Sequence, residues 1–129
     1  MTAFLEILLL AFTIFSEALH ESLEGKIAVA SVIHNRVQKS NSDYFTVITA
    51  PNQFSCYNSY HLIINNLSKI EKRKLDAYIS LVIAVAIINK DIQPTVRSTH
   101  YTRKEITKKW MSGYKVELII GNHKFMEEK

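Results

Sequence analysis

The chain has 129 residues, a length that suits one domain with a substantial core. Hydrophobic residues make up 47% and charged residues 22%, which is the balance of a globular protein rather than of a disordered chain. Three glycines and two prolines are too few for a turn-dense β-sandwich. We therefore expect a single, mainly helical domain over residues 1–129.

The formal net charge of +4 favours anionic polymers as partners: nucleic acid, membrane headgroups or cell-wall material. Arginines do not alternate with aromatic residues along any stripe, so we do not expect nucleic acid to bind. The basic residues are scattered except for one cluster, which we interpret as the solvated start of a helix: Lys69, Lys72, Arg73 and Lys74.

Two apolar stretches, residues 4–15 and 77–88, fall short of the roughly 18–20 residues that span a bilayer. Glu6 interrupts the first stretch, and no basic segment precedes it, so we do not interpret it as a signal peptide. We interpret both stretches as buried helices and expect no stable membrane insertion. Cys56 is the only cysteine, which excludes an internal disulfide and fits a monomer that folds in a reducing cytoplasm.

Four helical or irregular segments are predicted first along the chain. Apolar residues cover nearly the whole circumference of a helix over residues 3–20, so we expect that helix to be central and buried. Ser22 is a candidate N-cap for a second helix over residues 24–38. Asparagine and proline punctuate residues 39–68, which we predict to be an irregular functional loop. A third helix is predicted over residues 69–90.

The C-terminal third has a different pattern. Residues 98–102, 116–120 and 123–126 are short and β-compatible, and Gly113 and the Gly121-Asn122 pair supply turns between them. The predicted fold class is therefore α+β and mainly helical, with a small antiparallel β-element near the C-terminus.

Glu17 is the first candidate for chemistry, because it ends a predicted helix that is otherwise almost entirely apolar. Partial desolvation raises the pKa of a carboxyl group, and a general acid near neutral pH needs a raised pKa. Position alone leaves open a helix-end glutamate that faces solvent. Glu21 lies four residues later and offers either the second carboxylate of a glycosidase or a cap for the next helix, whereas we assign Glu24 to capping.

The five histidines form no compact metal motif such as H-E-x-x-H. A dispersed zinc site from His100, His123 and a glutamate stays open, and it would suit an amidase that acts on the peptide stem of peptidoglycan. The single cysteine argues against a thiolate zinc site. We expect activity without a metal or any other cofactor.

Two short segments combine polar groups with aromatic rings: Gln53, Phe54 and Ser55, and Thr99, His100 and Tyr101. Sugar-binding clefts use this mixture, with polar groups for the hydroxyls and rings for the apolar face of the sugar. Ordinary loop packing is the alternative interpretation. Trp110, the single tryptophan, is either a core anchor or the wall of a sugar subsite.

The chain resembles the SleB-type cell wall hydrolases, which include spore-cortex-lytic enzymes and phage endolysin relatives. The similarity spans nearly the whole chain in matching order, and it lies in residues 13–21 (TIFSEALHE), 25–36 (GKIAVASVIHNR), 53–55 (QFS), 98–101 (STHY) with Trp110, and 120–126 (IGNHKFM). Against the family pattern, Ser16 replaces a glycine, Leu19 and His20 replace Arg-Gly, and Met126 replaces the closing tyrosine.

The resemblance implies a lysozyme-like, lytic-transglycosylase-like fold with Glu17 as the catalytic acid. The implied substrate is the glycan strand of peptidoglycan, cleaved at the β-1,4 bond between N-acetylmuramic acid and N-acetylglucosamine. Glu21, Gln53, Ser55, Thr99, His100 and Tyr101 would then line the cleft. Without a signal, the chain looks like an endolysin that accumulates in the cytoplasm and acts at the wall after release. The alternative function that is not enzymatic is that of a non-catalytic module that binds the cell wall.

Overall fold

The computed structural model describes residues 3–129, and within them five α-helices precede a small C-terminal sheet. The helices are α1 (Ala3–Glu17), α2 (Leu23–Ser40), α3 (Tyr44–Thr49), α4 (Tyr60–Lys72) and α5 (Lys74–Ile88). The strands are β1 (His100–Arg103), β2 (Tyr114–Ile120) and β3 (His123–Glu128). Short 3-10 helices cover Ser55–Tyr57 and Lys109–Gly113. The predicted fold class, mainly helical with a small antiparallel β-element, is confirmed.

The core forms where α1, α2 and α5 pack together. The long side of α1 lies against α5, and α2 contacts both helices. Leu10, Ile14 and Phe15 of α1 are fully buried there, as is Phe125 of β3. Burial of these apolar side chains is the main source of stability, and it fixes the C-terminal end of α1 next to the sheet.

The sheet has the strand order β1-β3-β2, and both pairs are antiparallel. Tyr101 pairs with Phe125 across β1 and β3, and Ile120 pairs with His123 next to the turn that joins β2 to β3. That turn is the predicted Gly121-Asn122 pair, with Gly121 in the left-handed region at φ +56°. Glycine adopts this conformation at no steric cost, because it lacks a Cβ.

Helix ends agree with the local sequence. Ser22 is the N-cap of α2, and its side chain accepts a hydrogen bond from the Gly25 amide at 3.1 Å, as predicted. Asn41 ends the same helix in the left-handed conformation, with φ 49°.

The prediction of one irregular segment over residues 39–68 is wrong. That range contains α3, a 3-10 turn and most of α4. Polar residues of this range start helices instead, because Asp43 and Ser59 accept hydrogen bonds from the first turns of α3 and α4. The single helix predicted over residues 69–90 is also wrong, since Arg73 breaks it into α4 and α5. The basic cluster therefore lies at a helix junction.

Complete burial of the two apolar stretches is also wrong. Phe4 is 67% exposed and Tyr78 is 64% exposed. Leu5, Leu8, Ala77 and Leu81 of the two stretches line an open apolar groove of about 510 Å³ between α1, α4 and α5. Over residues 3–129, no helix combines the length and apolar character that crossing a membrane would require.

Candidate active site

Glu17 is the last residue of α1, and it meets the sheet through one short hydrogen bond. The Tyr101 hydroxyl of β1 donates to Glu17 Oε1 at 2.5 Å. The buried body of α1 fixes the position of the glutamate, and pairing with β3 fixes that of the tyrosine. The arrangement therefore joins residues 84 positions apart in the sequence.

Burial raises the pKa of the Glu17 carboxyl above its ordinary value, and the hydrogen bond from Tyr101 offsets only part of that increase. Burial and the neighbouring Glu17 charge likewise raise the pKa of Tyr101 well above its usual range. Glu17 thus holds its proton at a higher pH than an exposed glutamate would. A carboxyl group with this property can act as a general acid.

Glu17 lines a cleft of about 140 Å³ at the junction of α1 and the sheet. His123 packs edge-on against Tyr101 at this cleft, with ring centroids 5.0 Å apart. The remaining lining residues are Ser16, Leu19, His20, Glu21, Arg103 and Asn122.

Glu21 clamps the β2–β3 turn onto the segment that follows α1. Its Oε1 accepts from the Asn122 amide at 2.9 Å, and its Oε2 accepts from Asn122 Nδ2 at 3.0 Å. Burial alone would raise the pKa of Glu21, but the Asn122 hydrogen bonds and the charges of His123 and Lys26 outweigh it and lower the pKa. Both oxygens of this carboxylate are thus already occupied.

Two glycines make room for this clamp. A Cβ added to Gly121 would lie 2.4 Å from Glu21 Oε1, and one added to Gly25 would lie 3.0 Å from Glu21 Cβ. The contact at Gly121 is closer than real Cβ atoms show, and the one at Gly25 is tighter than most, so glycine lets the turn and the start of α2 approach Glu21.

Lys26 stabilises the segment between α1 and α2 through hydrogen bonds to its backbone carbonyls. It is only 3% exposed, and its Nζ donates to the Glu21 carbonyl at 2.7 Å and to the Leu19 carbonyl at 3.3 Å. The same Nζ forms an ion pair with Asp76 of α5 at 3.3 Å. This positioning role was missed in the sequence, because a lysine in the first turn of a helix ordinarily faces solvent.

Asn35 of α2 positions β1. Its Nδ2 donates to the carbonyls of Val96 at 2.8 Å and Ser98 at 2.9 Å, directly before the strand. Glu117 of β2 accepts from the amide and hydroxyl of Ser98 at 2.9 and 2.6 Å. These contacts fix the register that places Tyr101 at Glu17. Asn35 stands in the family motif, but its contacts with residues 61 and 63 positions away could not be predicted from local sequence.

A second cleft, of about 400 Å³, lies at the other side of β1, and Thr99 and His100 line it. Successive side chains of a strand point to opposite faces, so His100 and Tyr101 lie on opposite faces of β1. Arg36 and Lys39 of α2 complete one wall, and the Arg36 guanidinium donates to the Gln53 side chain.

The predicted site residues therefore divide into two groups. Glu17 and Glu21 line the first cleft, and Tyr101 hydrogen-bonds to Glu17. Thr99 and His100 line the second cleft, and Gln53 hydrogen-bonds to Arg36 in its wall. Ser55 is exposed in the 3-10 turn, and its side chain hydrogen-bonds to no described residue. Trp110 is 46% exposed and packs on His100, so it is not a core anchor.

His100 and His123 do not converge. The His100 ring contacts Trp110 and Tyr114, whereas the His123 ring contacts Tyr101 and Phe125. Within residues 3–129, no group of three histidine, cysteine, aspartate or glutamate side chains is placed to hold a metal ion.

A buried glutamate at the end of an apolar helix, open to a cleft against a small sheet, is typical of enzymes that cleave glycan chains. Residues 20–126 match the family described as Cell Wall Hydrolase, and the chain belongs to that family. Glu17 lies just before the matched segment, so the case for its role depends on the geometry above. A search of curated proteins gives no match.

Two solved structures are similar over nearly their whole length. One is the catalytic domain of the germination-specific lytic transglycosylase SleB from Bacillus anthracis, with 23% identity and a TM-score of 0.69 over 95% of this chain and 93% of that chain. The other is the catalytic domain of the Bacillus cereus SleB protein, with 25% identity and a TM-score of 0.67 over 95% of this chain and 89% of that chain. The resemblance stated from the sequence is confirmed.

Replacing Glu17 by glutamine is expected to stabilise the protein at pH 7 by roughly 0.5–2 kcal/mol, the range common for single stabilising substitutions. The folded state raises the pKa of Glu17 above the ordinary 4.5, so ionisation favours the unfolded chain. The gain should shrink as the pH falls through the raised pKa and vanish below pH 4.5. Thermal unfolding across this pH range measures it. Exposed Glu24→Gln is the control, and an unchanged or lowered Tm for Glu17→Gln at pH 7 would contradict the account.

Gly121→Ala is expected to destabilise the fold by about 1–3 kcal/mol, because the new Cβ meets the Glu21 carboxylate and the backbone is left-handed. Gly113→Ala is the matched control, since a Cβ there meets nothing within 4 Å. Urea unfolding of both variants makes the comparison. Equal stability of the two variants would show that the clamp does not need this glycine.

Proposed function

We propose that the protein is a lytic transglycosylase that cleaves the β-1,4 bond between N-acetylmuramic acid and N-acetylglucosamine, with Glu17 as both acid and base. The single observation that carries this proposal is the buried Glu17 carboxyl, held by Tyr101 at an open cleft. Membership of the cell wall hydrolase family supplies the substrate class, which is peptidoglycan.

Protonated Glu17 donates its proton to the bridging oxygen while the bond from C1 of the muramoyl sugar breaks. The bond electrons leave with the N-acetylglucosamine oxygen, and an oxocarbenium-like centre develops at C1. The Glu17 carboxylate then accepts the proton of the muramoyl C6 hydroxyl as that oxygen attacks C1. A 1,6-anhydro ring closes, and Glu17 is protonated again for the next cycle.

The contacts of Glu21 favour this route over hydrolysis. Most glycosidases that hydrolyse need a second carboxylate, either to activate water or to trap the sugar. Glu21 is the only other carboxylate among the residues that line the Glu17 cleft, and Asn122 occupies both of its oxygens. The lowered pKa of Glu21 also makes it a weak base. One acid/base carboxylate is sufficient for the intramolecular reaction.

Tyr101 supports both halves of the cycle. Its hydroxyl stabilises the Glu17 carboxylate after proton donation, and it holds the carboxyl in one orientation towards the cleft. The similar structure from Bacillus anthracis is described as a lytic transglycosylase. In this chain, Glu17 held by Tyr101 would supply the single acid that such a reaction needs.

Glu17→Gln is expected to lower the rate of peptidoglycan cleavage by about 10²–10⁴ or more, because the amide cannot donate or accept the required proton. The measurement is turbidity loss of purified peptidoglycan, with circular dichroism to verify folding. Glu24→Gln, which removes a carboxylate that serves the start of α2, should retain wild-type lysis. Near-normal lysis by folded Glu17→Gln would overturn the assignment.

Cleavage is expected to continue after metal removal, because every step of the proposed cycle is carried by Glu17. The protein is incubated with a strong chelator, desalted and assayed on the same peptidoglycan. Activity within twofold of the untreated sample is the expected result. A large loss that zinc restores would favour the amidase alternative, in which a metal activates the water.

A further inference from the structure

Arg36 differs from the other arginines in its pairing. Arg73, Arg97 and Arg103 each form an ion pair with a carboxylate, at 2.9, 3.2 and 2.6 Å. Arg36 is less exposed than these, yet it forms no ion pair with any residue of 3–129. Its polar partner is the neutral side chain of Gln53, and its guanidinium lies 6.0 Å from the centroid of the Phe54 ring.

Burying a guanidinium without a carboxylate partner costs free energy, and an anionic ligand that pairs with it would offset that cost. Burial lowers the pKa of Arg36, and the nearby Tyr101 and Tyr114 oppose that change. A guanidinium remains charged even so, because its ordinary pKa is far above neutral pH. Gln53 uses one donor of the fork, and the guanidinium offers further N–H groups to an acceptor.

The cleft next to Arg36 has room for such an acceptor. It measures about 400 Å³, and its lining carries two cations, Arg36 and Lys39, against one carboxylate, Glu128. Lys39 and Glu128 pair with each other at 2.5 Å, which leaves the Arg36 charge uncompensated. Burial and the charges of Arg36 and Lys39 lower the pKa of His100, so this ring is neutral at pH 7.

An aromatic cluster borders the same cleft. His100, Trp110 and Tyr114 contact one another with ring centroids 4.6–5.6 Å apart, and Trp110 remains 46% exposed. Exposed rings beside polar groups suit the apolar face of a sugar. His100 and Tyr101 are consecutive in β1, so this cleft lies one residue along the strand from the partner of Glu17.

We propose that the cleft next to Arg36 is a subsite for a carboxylate carried by the muramoyl unit of the glycan strand, and that Arg36 binds this carboxylate. The inference rests on the proposed function for the identity of the polymer. N-acetylated sugar rings are neutral, so the carboxylate comes either from the peptide stem or from the lactyl group where the stem is absent. Arginine binds both through parallel N–H donors. Arg36 thereby selects muramoyl glycan over neutral N-acetylglucosamine polymers.

Binding is measured by isothermal titration calorimetry in a Glu17→Gln background, so that no ligand is cleaved. Three soluble tetrasaccharides serve as probes: GlcNAc-MurNAc repeats with peptide stems, the same repeats with free lactyl carboxylates, and chitotetraose. Adding Arg36→Gln to this background is expected to lower the affinity for at least one of the two carboxylate probes by about 10- to 100-fold. Chitotetraose affinity should change less than twofold. The probe that loses affinity identifies the source of the carboxylate.

Arg36→Lys keeps the charge but loses the fork, so it should retain part of the affinity. Arg97→Gln removes an exposed, ion-paired guanidinium and should leave all three probes unchanged. Equal losses for chitotetraose and the carboxylate probes would reduce Arg36 to a support for Gln53 and overturn the subsite. Unchanged affinity, or no binding of either carboxylate probe to the parent, would also overturn it. These results are independent of the cleavage assays that test Glu17.

Discussion

The hydrogen bond between Tyr101 and Glu17 is the contact on which the site depends, because it joins the first helix to the C-terminal sheet. Contacts with elements distant in the sequence position both residues. Packing of α1 against α5 positions Glu17, whereas pairing with β3 and the contacts of Asn35 position Tyr101. The Glu17–Tyr101 pair therefore forms only when α1 and the sheet are folded together, and distortion of either should displace the Glu17 carboxyl.

The burial that activates Glu17 also costs stability. A carboxyl group at the end of an apolar helix gives up much of its hydration, and the Tyr101 hydroxyl restores only one hydrogen bond. Glu21 shows the opposite arrangement only four residues later, because two hydrogen bonds from Asn122 and the charges of His123 and Lys26 stabilise its carboxylate. Two nearby glutamates thus have pKa values shifted in opposite directions. Under the proposed function, this difference separates Glu17, the acid, from Glu21, a carboxylate that holds the turn.

Local patterns in the sequence predicted what local physics determines. The apolar first helix, predicted over residues 3–20 and found at Ala3–Glu17, follows from residues close together in the chain, as do the Ser22 cap and the Gly121-Asn122 turn. The clamp between Glu21 and Asn122 could not be predicted, because it joins residues 101 positions apart. Helix α4 was missed for a different reason. Its apolar residues stay largely exposed, and its polar residues resemble those of a loop. Arg36 was visible in a motif, but its lack of an ionic partner appears only in three dimensions.

The central claim is that one carboxyl group, Glu17, closes an intramolecular ring without using water. Mass spectrometry of the products after digestion in ¹⁸O-labelled water tests it most directly. The account predicts muramoyl ends that carry a 1,6-anhydro ring, are one water lighter than reducing ends and contain no ¹⁸O. Reducing ends that have taken up ¹⁸O would show hydrolysis at C1. Freed peptide stems with intact glycan would show that the chain cuts a different bond.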